Sequence, residues 1–439
     1  MTTILSFVFV LGVLIFVHEL GHFLMARRIG VRVLTFSLGF GPKLLSFRRG
    51  DTEYCVSAIP LGGYVKMAGE NPEDTRTGAS DEFLSKGKWQ RFQVLVMGPV
   101  MNLAFALVVM ALVLYQGAQV PAYLERPAVI GVVMPDSPAA KAGLQPHDEI
   151  VSVDGRLVPT WEHFAMALMP KAGRDVNLLI EREGRPFTVS VVPDAVDKFE
   201  IGDIGILPLV FPQIAAVNPD TPAQEAGLQP GDIILAVGAE REVSQPRVIE
   251  LIQASQGRLE LEVRRAGETR TITVQPRKLD DDKLKIGAVI SRADFRTIKP
   301  GPIEAVRLSV EQNWKWTRLI FETLAGLLTG AASVKQLMGP VAIAQVSDAA
   351  AQQGWVELFG LMAMISLNLG LLNLMPIPVL DGGHIAILAI EGLSRRDFSM
   401  KVKEKMLLVG FVLLVTLMVT VIYNDLTRVQ WIERFMIWR

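Results

Sequence analysis

Residues 4–26 read ILSFVFVLGVLIFVHELGHFLMA, and this stretch decides the fold class. A membrane-spanning helix needs about 20 mostly apolar residues, which the stretch supplies. Its ionisable residues, His18, Glu19 and His22, stand near its end. The alternative is a secretory signal peptide, but a basic start and a small-residue cleavage site are both missing. We therefore predict a retained membrane helix.

The composition also indicates a membrane protein. Of the 439 residues, 50% are hydrophobic and only 20% are charged, which is too apolar for an ordinary soluble protein. The net charge of −1 gives no general attraction to nucleic acid, so no nucleic-acid partner is expected. Cys55 is the only cysteine, which excludes an internal disulfide and a thiolate cluster. Any metal must therefore take His, Asp or Glu ligands.

Three further apolar stretches predict membrane helices. Residues 92–115 and 406–423 each have the length of one span. Residues 359–390 are too long for one span, and Pro376 and Pro378 interrupt them. We predict a span that ends just before these prolines, then non-helical backbone and a short helix. The chain is thus predicted to be a polytopic α-helical membrane protein with about four spans.

Basic residues favour the cytoplasmic side of a membrane. Arg27, Arg28 and Arg32 follow the first span. The connection between the third and fourth spans is also basic, with Arg395, Arg396, Lys401, Lys403 and Lys405. Both flanks are therefore predicted to be cytoplasmic, and the long segment between the second and third spans is predicted to lie outside.

That outer segment contains an internal repeat. SPAAKAGLQPHD at 137–148 returns as TPAQEAGLQPGD at 221–232, each time before an apolar strand. Each copy predicts a short helix that begins at Ser or Thr, has Pro in its first turn and ends at Gly. The pair resembles tandem PDZ domains of the bacterial protease type, so we expect two inserted α+β domains. A PDZ fold binds an extended peptide at a sheet edge, and a steric spacer is the alternative role.

The rest of the chain falls into predicted parts around these repeats. Polar residues recur every three or four positions from Glu304 to Glu322 and predict an amphipathic helix, which lies at the membrane interface or packs on the soluble domains. Residues 31–67 predict strands that line the site or form a plain loop.

The predicted parts are 1–126 with two spans and a β-rich loop, 127–196 and 197–280 as PDZ-like domains, 281–350 as linker and amphipathic helix, and 351–439 with the last two spans.

The catalytic metal site is predicted at His18-Glu-Leu-Gly-His22. Residues four apart stack on one helical face, so both imidazoles can reach one metal while Glu19 handles a water molecule. A charged side chain deep in a bilayer costs about 2.5–3.5 kcal/mol even on lenient scales, and a metal would compensate for that cost. Histidines that merely pack against another helix would not call for Glu19 between them.

A catalytic zinc needs a third protein ligand. His147 and His163 fall inside the repeats, and Glu357 lies near the outer end of the third span. Asp381, in NLMPIPVLDGG, is expected at a depth comparable with that of the two histidines. Unwound backbone at this depth must face protein or a wet cavity, as a hydrolase requires. His384 is the alternative ligand, and we predict a supporting role for it.

Two motifs together resemble the site-2 protease family of intramembrane metalloproteases: His18-Glu-Leu-Gly-His22, and Leu380-Asp-Gly382 in a later span. Gly98-Pro-Val-Met-Asn102 also resembles a family element. The resemblance covers essentially the whole chain and is greatest to members with tandem PDZ domains. It implies zinc held by His18, His22 and Asp381, with Glu19 as the base that takes a proton from water. It further implies that Asn373 adds a hydrogen bond to substrate.

The resemblance implies hydrolysis of peptide bonds in the membrane segment of single-span proteins. An anti-sigma factor is the expected type of substrate, with remnant signal peptides as a second class. The expected location is the bacterial inner membrane, with periplasmic repeats that contact the outer region of substrates and an active site toward the cytoplasm. A scaffold with a structural metal is the first rival, but a closed site needs four ligands and no base. A metal transporter is the second, and it would spread polar residues across the bilayer.

Overall fold

The computed structural model describes residues 2–70, 78–196, 200–255, 257–278, 283–330, 335 and 337–427. The chain forms two compact units. The helical unit comprises 1–116, 299–325 and 334–439, and the repeat unit comprises 117–298 and 326–333.

The helices of the described residues are α1 Thr2–Arg28, α2 Lys88–Gln116, α3 Pro138–Lys141, α4 Trp161–Leu168, α5 Pro222–Glu225, α6 Gln245–Ala254, α7 Pro302–Leu328, α8 Pro340–Gln353, α9 Trp355–Asn373, α10 Asp381–Ser394 and α11 Met400–Thr427. The strands are β1 Val33–Arg49, β2 Thr52–Met67, β3 Ala118–Pro121, β4 Ile130–Val133, β5 Glu149–Val153, β6 Arg156–Leu157, β7 Val176–Arg182, β8 Arg185–Val191, β9 Asp194–Val196, β10 Ile201–Asp203, β11 Ile206–Pro208, β12 Gln213–Val217, β13 Ile233–Val237, β14 Glu240–Arg241, β15 Leu259–Arg265, β16 Glu268–Val274, β17 Arg277–Lys278, β18 Leu284–Lys285, β19 Ala288–Ser291 and β20 Phe295–Ile298.

Among the described residues, four helices are long and apolar enough to cross a membrane, namely Thr3–Arg28, Lys88–Gln116, Trp355–Asn373 and Lys401–Leu426. Three of them contain a predicted apolar stretch and Trp355–Asn373 overlaps the fourth, so the helices fit a multi-pass membrane protein. The predicted break after the third span is present, because α9 ends at Asn373 and α10 begins at Asp381. The number of spans in the bilayer and the side of each loop stay predictions.

Small residues let α1, α2 and α9 approach closely in the helical unit. An added Cβ at Gly21 of α1 would overlap the carbonyl of Met97 on α2. An added Cβ at Gly370 of α9 would lie 3.0 Å from the carbonyl oxygen of Pro99. Membrane helices gain contact by such close backbone approach, since lipid offers no hydrophobic driving force between them. The three helices that surround the site are therefore fixed by backbone contact.

The predicted strands of residues 31–67 form a long antiparallel hairpin. Arg49 pairs with Thr52 at its turn, and both strands bend, so that Phe36 pairs with Tyr54 on one side and with Val65 on the other. The last part of β2 is thereby carried back to α1. An added Cβ at Gly63 would lie 2.9 Å from Cγ of Glu19. Of the two roles considered for this segment, the structure favours lining the site.

The repeat unit contains the two predicted repeats, each around its own hydrophobic core. The first has the strand order β6-β5-β7-β8 and the second β16-β15-β13-β12-β19 with β14 beside β13. Gly143 and Gly227 end the corresponding helices α3 and α5, both with φ +78°. A buried aspartate that ends each motif pairs with an arginine, Asp148 with Arg182 and Asp232 with Arg265.

Each core extends past the predicted domain boundary at 196 or 280. The first includes Ile204 and Ile206, and the second includes Ile286. The reason is that a late strand pairs with the first strand of each repeat, β11 with β4 and β19 with β12. His147 has φ +70°, so its backbone adopts the left-handed conformation of its counterpart Gly231 at φ +97°.

The predicted amphipathic helix is α7. Its buried face carries Ala305, Ser309 and Asn313, and the Ser309 hydroxyl donates a hydrogen bond to the carbonyl of Leu107 on α2, 2.7 Å away. Trp314 lies on the other face and is 70% exposed. One face of α7 therefore packs in the helical unit, while the other carries an exposed indole of the kind that favours a membrane interface.

Candidate metal and catalytic site

Two imidazoles and one carboxylate converge inside the helical unit. Nε2 of His18 lies 3.3 Å from Nε2 of His22, and Oδ2 of Asp381 lies 3.1 Å and 3.5 Å from the two nitrogens. Both histidines are buried. In a tetrahedral zinc site with bonds of about 2.0–2.1 Å, ligand atoms are about 3.3 Å apart. Three ligand atoms therefore stand at separations that suit one zinc ion.

Local geometry explains how Asp381 reaches the histidines. It is the first residue of α10, directly after the segment that reverses the chain. Cβ atoms at Gly382 and Gly383 would overlap the backbone of Leu374 and Ile377, so only glycine allows the reversal to pack against the start of α10. Val379 has φ +91°, which β-branched residues rarely adopt. The glycines and this strained turn together fix the carboxylate.

The other ring nitrogens are held by α2. Nδ1 of His22 lies 2.8 Å from the carbonyl oxygen of Val94, and Nδ1 of His18 lies 3.2 Å from Nδ2 of Asn102. Metal-binding histidines commonly donate their second ring N–H to an acceptor, which fixes the ring, and the carbonyl of Val94 is such an acceptor for His22. The Asn102 side chain contacts His18 at the corresponding position, with its amide nitrogen toward the ring. An added Cβ at Gly98 would overlap the His22 ring. The sequence motif Gly98-Pro-Val-Met-Asn102 thus supports both imidazoles.

Val94 was not singled out from the sequence, and Asn102 was named only as part of the motif Gly98-Pro-Val-Met-Asn102, without a role. A backbone carbonyl such as that of Val94 leaves no signal in the residue type. Asn102 did leave one, because it is an amide within the apolar stretch 92–115, where a side chain of this kind needs a polar partner.

Glu19 stands beside the cluster. It is close enough to interact electrostatically with both histidines and with Asp381. On its other side lies Gly63 of the bent strand β2. Residues 63–67 pair with β1, and no further strand pairs with them among the described strands. A carboxylate, a candidate metal site and a free strand edge are therefore adjacent.

The remaining candidates are placed as follows. Asn373 is the half-buried last residue of α9. His384 is exposed and is not part of the described group of ligand atoms. His147 lies 3.3 Å from Glu242, and Nδ1 of His163 lies 2.7 Å from the Thr160 hydroxyl, all within the repeat unit.

The helix that begins with Asp381 is also anchored at its far end. Glu391 is 1% exposed, lies 2.7 Å from the Lys403 ammonium and accepts a hydrogen bond from the Phe398 amide. Lys88 of α2 donates to the carbonyl of Glu391 and pairs with Asp397, each at 2.8 Å. These contacts tie α10 to α2 and α11, so the position of the carboxylate does not depend on the turn alone.

Comparison with known proteins gives matches over nearly the whole chain. A family model of peptidase family M50 matches residues 6–417. The regulator of sigma-E protease RseP of Escherichia coli (strain K12) is 35% identical over 455 residues, 96% of this chain and 98% of that protein. A putative zinc metalloprotease of Neisseria meningitidis is 33% identical over 457 residues, 98% of this chain and 99% of that protein.

The PDZ domain of an SdrC-like protein from Listeria innocua is 26% identical over 19% of this chain and 92% of the solved chain, with a TM-score of 0.18. The M50 match includes His18, His22 and Asp381.

Proposed function

The chain belongs to peptidase family M50 and is a metalloprotease, and on that premise we propose that it cuts peptide bonds within or beside the membrane segment of other proteins. The observation that carries the proposal is the approach of Nε2 of His18, Nε2 of His22 and Oδ2 of Asp381 to within 3.5 Å of one another. The two histidines lie on a helix that is apolar and long enough to cross a membrane.

His18, His22 and Asp381 are the proposed zinc ligands. Three protein ligands leave the fourth position of a tetrahedral ion open, as catalysis requires. When bound, zinc supplies a Lewis acid that activates water and polarises the scissile carbonyl. The separations between the three ligand atoms support this assignment.

Glu19 is the proposed general base and acid. Its carboxylate takes a proton from the attacking water and passes that proton to the leaving amine. Val94 and Asn102 keep the two imidazoles oriented during these steps, since each holds a ring through Nδ1. Asn373, at the end of α9, is proposed to hydrogen-bond the substrate backbone.

The substrate segment must be extended when it is cut. In a helix its carbonyls are already hydrogen-bonded, and in a membrane they cannot turn to water instead. The free edge of β2 beside Glu19 offers replacement partners by strand addition. We therefore assign the edge at residues 63–66 to the unwound substrate, since the amide of Met67 already donates to the carboxylate of Glu70, 3.1 Å away.

The proposed substrates are single-span membrane proteins of the anti-sigma type, with remnant signal peptides as a second class. The relatives named as regulators of sigma-E protease support this choice. The proposed location is the bacterial inner membrane, with the repeats in the periplasm and the site toward the cytoplasm. Arg27 and Arg28 at the end of α1 support that orientation.

The test compares Glu19→Gln with the intact sequence. Full-length protein in detergent is incubated with a single-span substrate, and zinc content is measured alongside cleavage. We expect retained zinc and lost cleavage, because the amide keeps the shape of Glu19 without its basicity. Glu357→Gln is the matched control and should still cleave. Glu357 lies in the first turn of α9, at the other end of that helix from Asn373. Cleavage by a Glu19→Gln preparation would remove Glu19 from the mechanism.

A further inference from the structure

A second polar site lies at the C-terminal end of α1. It is a cleft of about 670 Å³ in the helical unit. Three exposed arginines line it, Arg27 from α1, Arg32 from the link to β1 and Arg49 from the turn of the hairpin. Asp51 and Asp81 also line it. None of these residues belongs to the His-Asp cluster.

The charges of the cleft are not balanced internally. Arg32 pairs with Asp81 at 3.2 Å. The guanidinium of Arg27 lies 5.6 Å from the centre of the Phe23 ring, which orients it without neutralising it. In the part of the chain that the structure describes, no carboxylate lies within ion-pairing distance of Arg27 or Arg49. The guanidinium groups of Arg27 and Arg49 therefore have no carboxylate partner among the described residues, and with Asp51 counted the lining carries a net charge of +1 that attracts an anion.

An apolar surface continues from the cleft. Tyr54 lines the cleft, and its ring stacks on Phe47 with centroids 5.1 Å apart. Phe47 is 65% exposed, and Leu44 and Leu45 on the same strand are 66% and 72% exposed. Arg27 is in the last turn of a helix that is long and apolar enough to cross a membrane, so in the topology that we propose its guanidinium group lies at the level of the lipid headgroups. Cations at this level beside exposed apolar side chains fit an amphiphilic anion.

We propose that this cleft binds the phosphate group of an anionic membrane lipid. The guanidinium groups of Arg27 and Arg49 take the phosphate oxygens, for which their planar donor pairs are suited. An acyl chain lies along Phe47 and Leu45, which are two residues apart on the strand and so share one face. The bound lipid joins the hairpin turn to the end of α1, and the same hairpin runs past Glu19 at Gly63. Free phosphate shares the headgroup chemistry, so the test must separate the two.

The chain offers a matched pair of double variants. Arg27→Gln with Arg49→Gln removes two charges that line the cleft. Arg28→Gln with Arg48→Gln removes two exposed charges from the adjacent positions, which do not line it. Each preparation is the full chain in a neutral detergent, and zinc content confirms an intact helical unit. Native mass spectrometry measures the binding of dioctanoyl phosphatidylglycerol, with dioctanoyl phosphatidylcholine as the zwitterionic comparison.

We expect the intact chain to prefer phosphatidylglycerol. The cleft variant should bind it roughly 10- to 30-fold more weakly, while the control variant should change by no more than about twofold. Equal losses in both variants would mean a general attraction to basic residues and would overturn the proposal, as would an absence of lipid preference. Displacement of the lipid by inorganic phosphate at equal concentration would overturn the lipid as ligand and assign the cleft to free phosphate.

Discussion

The side-chain amide of Asn102 lies 3.2 Å from Nδ1 of His18, with its nitrogen toward the ring. The amide oxygen is buried and has no hydrogen-bond partner among the described residues. A neutral imidazole that binds metal through Nε2 carries its proton on Nδ1, which needs an acceptor. Rotation of the amide by 180° presents its oxygen to that proton. The ring N–H of His18 then has an acceptor, and the amide oxygen of Asn102 has a donor. The metal-bound state is thus expected to have the rotated amide.

Asn102→Ala should therefore weaken zinc binding by roughly 10- to 100-fold, because His18 loses the acceptor that fixes its ring. Asn102→Asp should retain most of the affinity, since a carboxylate also accepts from Nδ1. Chelator competition on the full chain measures both. Asn313→Ala is the control, because Asn313 of α7 is likewise buried with an unpartnered amide oxygen. Undiminished zinc affinity in Asn102→Ala would contradict the assignment.

Asp381→Asn should lower both zinc occupancy and cleavage, because a neutral amide is a poor zinc ligand. His384→Ala should keep its zinc, since that ring is exposed and outside the cluster. Metal analysis of the two purified variants decides between the candidates. Full occupancy in Asp381→Asn together with depletion in His384→Ala would make His384 the third ligand.

Gly98→Ala should displace the His22 ring, since the new methyl group would overlap it. Zinc affinity and cleavage should both fall by more than about tenfold, as expected for the loss of one good ligand geometry. Gly12→Ala on α1 and Gly360→Ala on α9 are matched controls, because an added Cβ there meets nothing within 4 Å. Equal zinc affinity in all three variants would contradict the prediction that a methyl group at position 98 displaces the His22 ring.

Asp148 should stabilise the first repeat in a pH-dependent way. It is buried and accepts hydrogen bonds from Nε of Arg182 at 2.6 Å and from the Gln145 amide at 2.8 Å. Burial alone would raise the pKa of Asp148, but these bonds outweigh it and hold that pKa below its ordinary value. The stabilisation is therefore present above the unfolded pKa of about 3.9 and is lost as pH falls through the lower folded value.

Asp148→Asn should then destabilise the first repeat by about 1.5–3 kcal/mol at neutral pH, near the lower limit because Arg182 is partly exposed. Hydrogen exchange of the β5 and β7 amides in the full chain measures the change. The difference from the intact sequence should shrink below about pH 4. Asp175→Asn, at an exposed aspartate, should have no such effect.

The candidate site was predictable where local periodicity decides geometry. His18 and His22 share a helical face because they are four residues apart, and the prolines before Asp381 predicted the break that exposes it. Tertiary pairing decided the rest. Gly63 reaches Glu19 only because β2 folds back along β1. Phe36 of β1 therefore pairs with Tyr54 on one side and with Val65 on the other. No pattern within residues 31–67 contains that information.

Tertiary pairing also decided the boundaries of the repeats. The motif at 221–232 predicted a second copy of the first helix-turn-strand unit, and both copies are present. The strands that complete each sheet, β11 and β19, come after the predicted boundaries. Each is only three or four residues long, so its sequence carries too little alternation to indicate which sheet it joins.

The repeats are predicted to decide which substrates reach the site. In the topology that we propose, the bilayer separates them from the zinc ligands, so they cannot touch the scissile bond. Tethered at both ends, the tandem is expected to block substrates with bulky outer domains. The ends of the repeat unit are joined by β3 and β20, in which Pro121 pairs with Phe295. A two-residue Asn-Gly turn can connect such a pair, so 122–294 can be replaced without leaving an unpaired strand.

This deletion should still cut a small single-span substrate. It should also cut a substrate with a folded outer domain that the intact chain rejects, because the barrier is gone while His18, His22 and Asp381 remain. Cleavage of both substrates is measured on preparations with equal zinc content, and Glu19→Gln within the deletion controls for contaminating proteases. If a zinc-loaded deletion variant still rejected the bulky substrate, the repeats would act by binding a substrate tail or as a spacer, and the filter would be wrong.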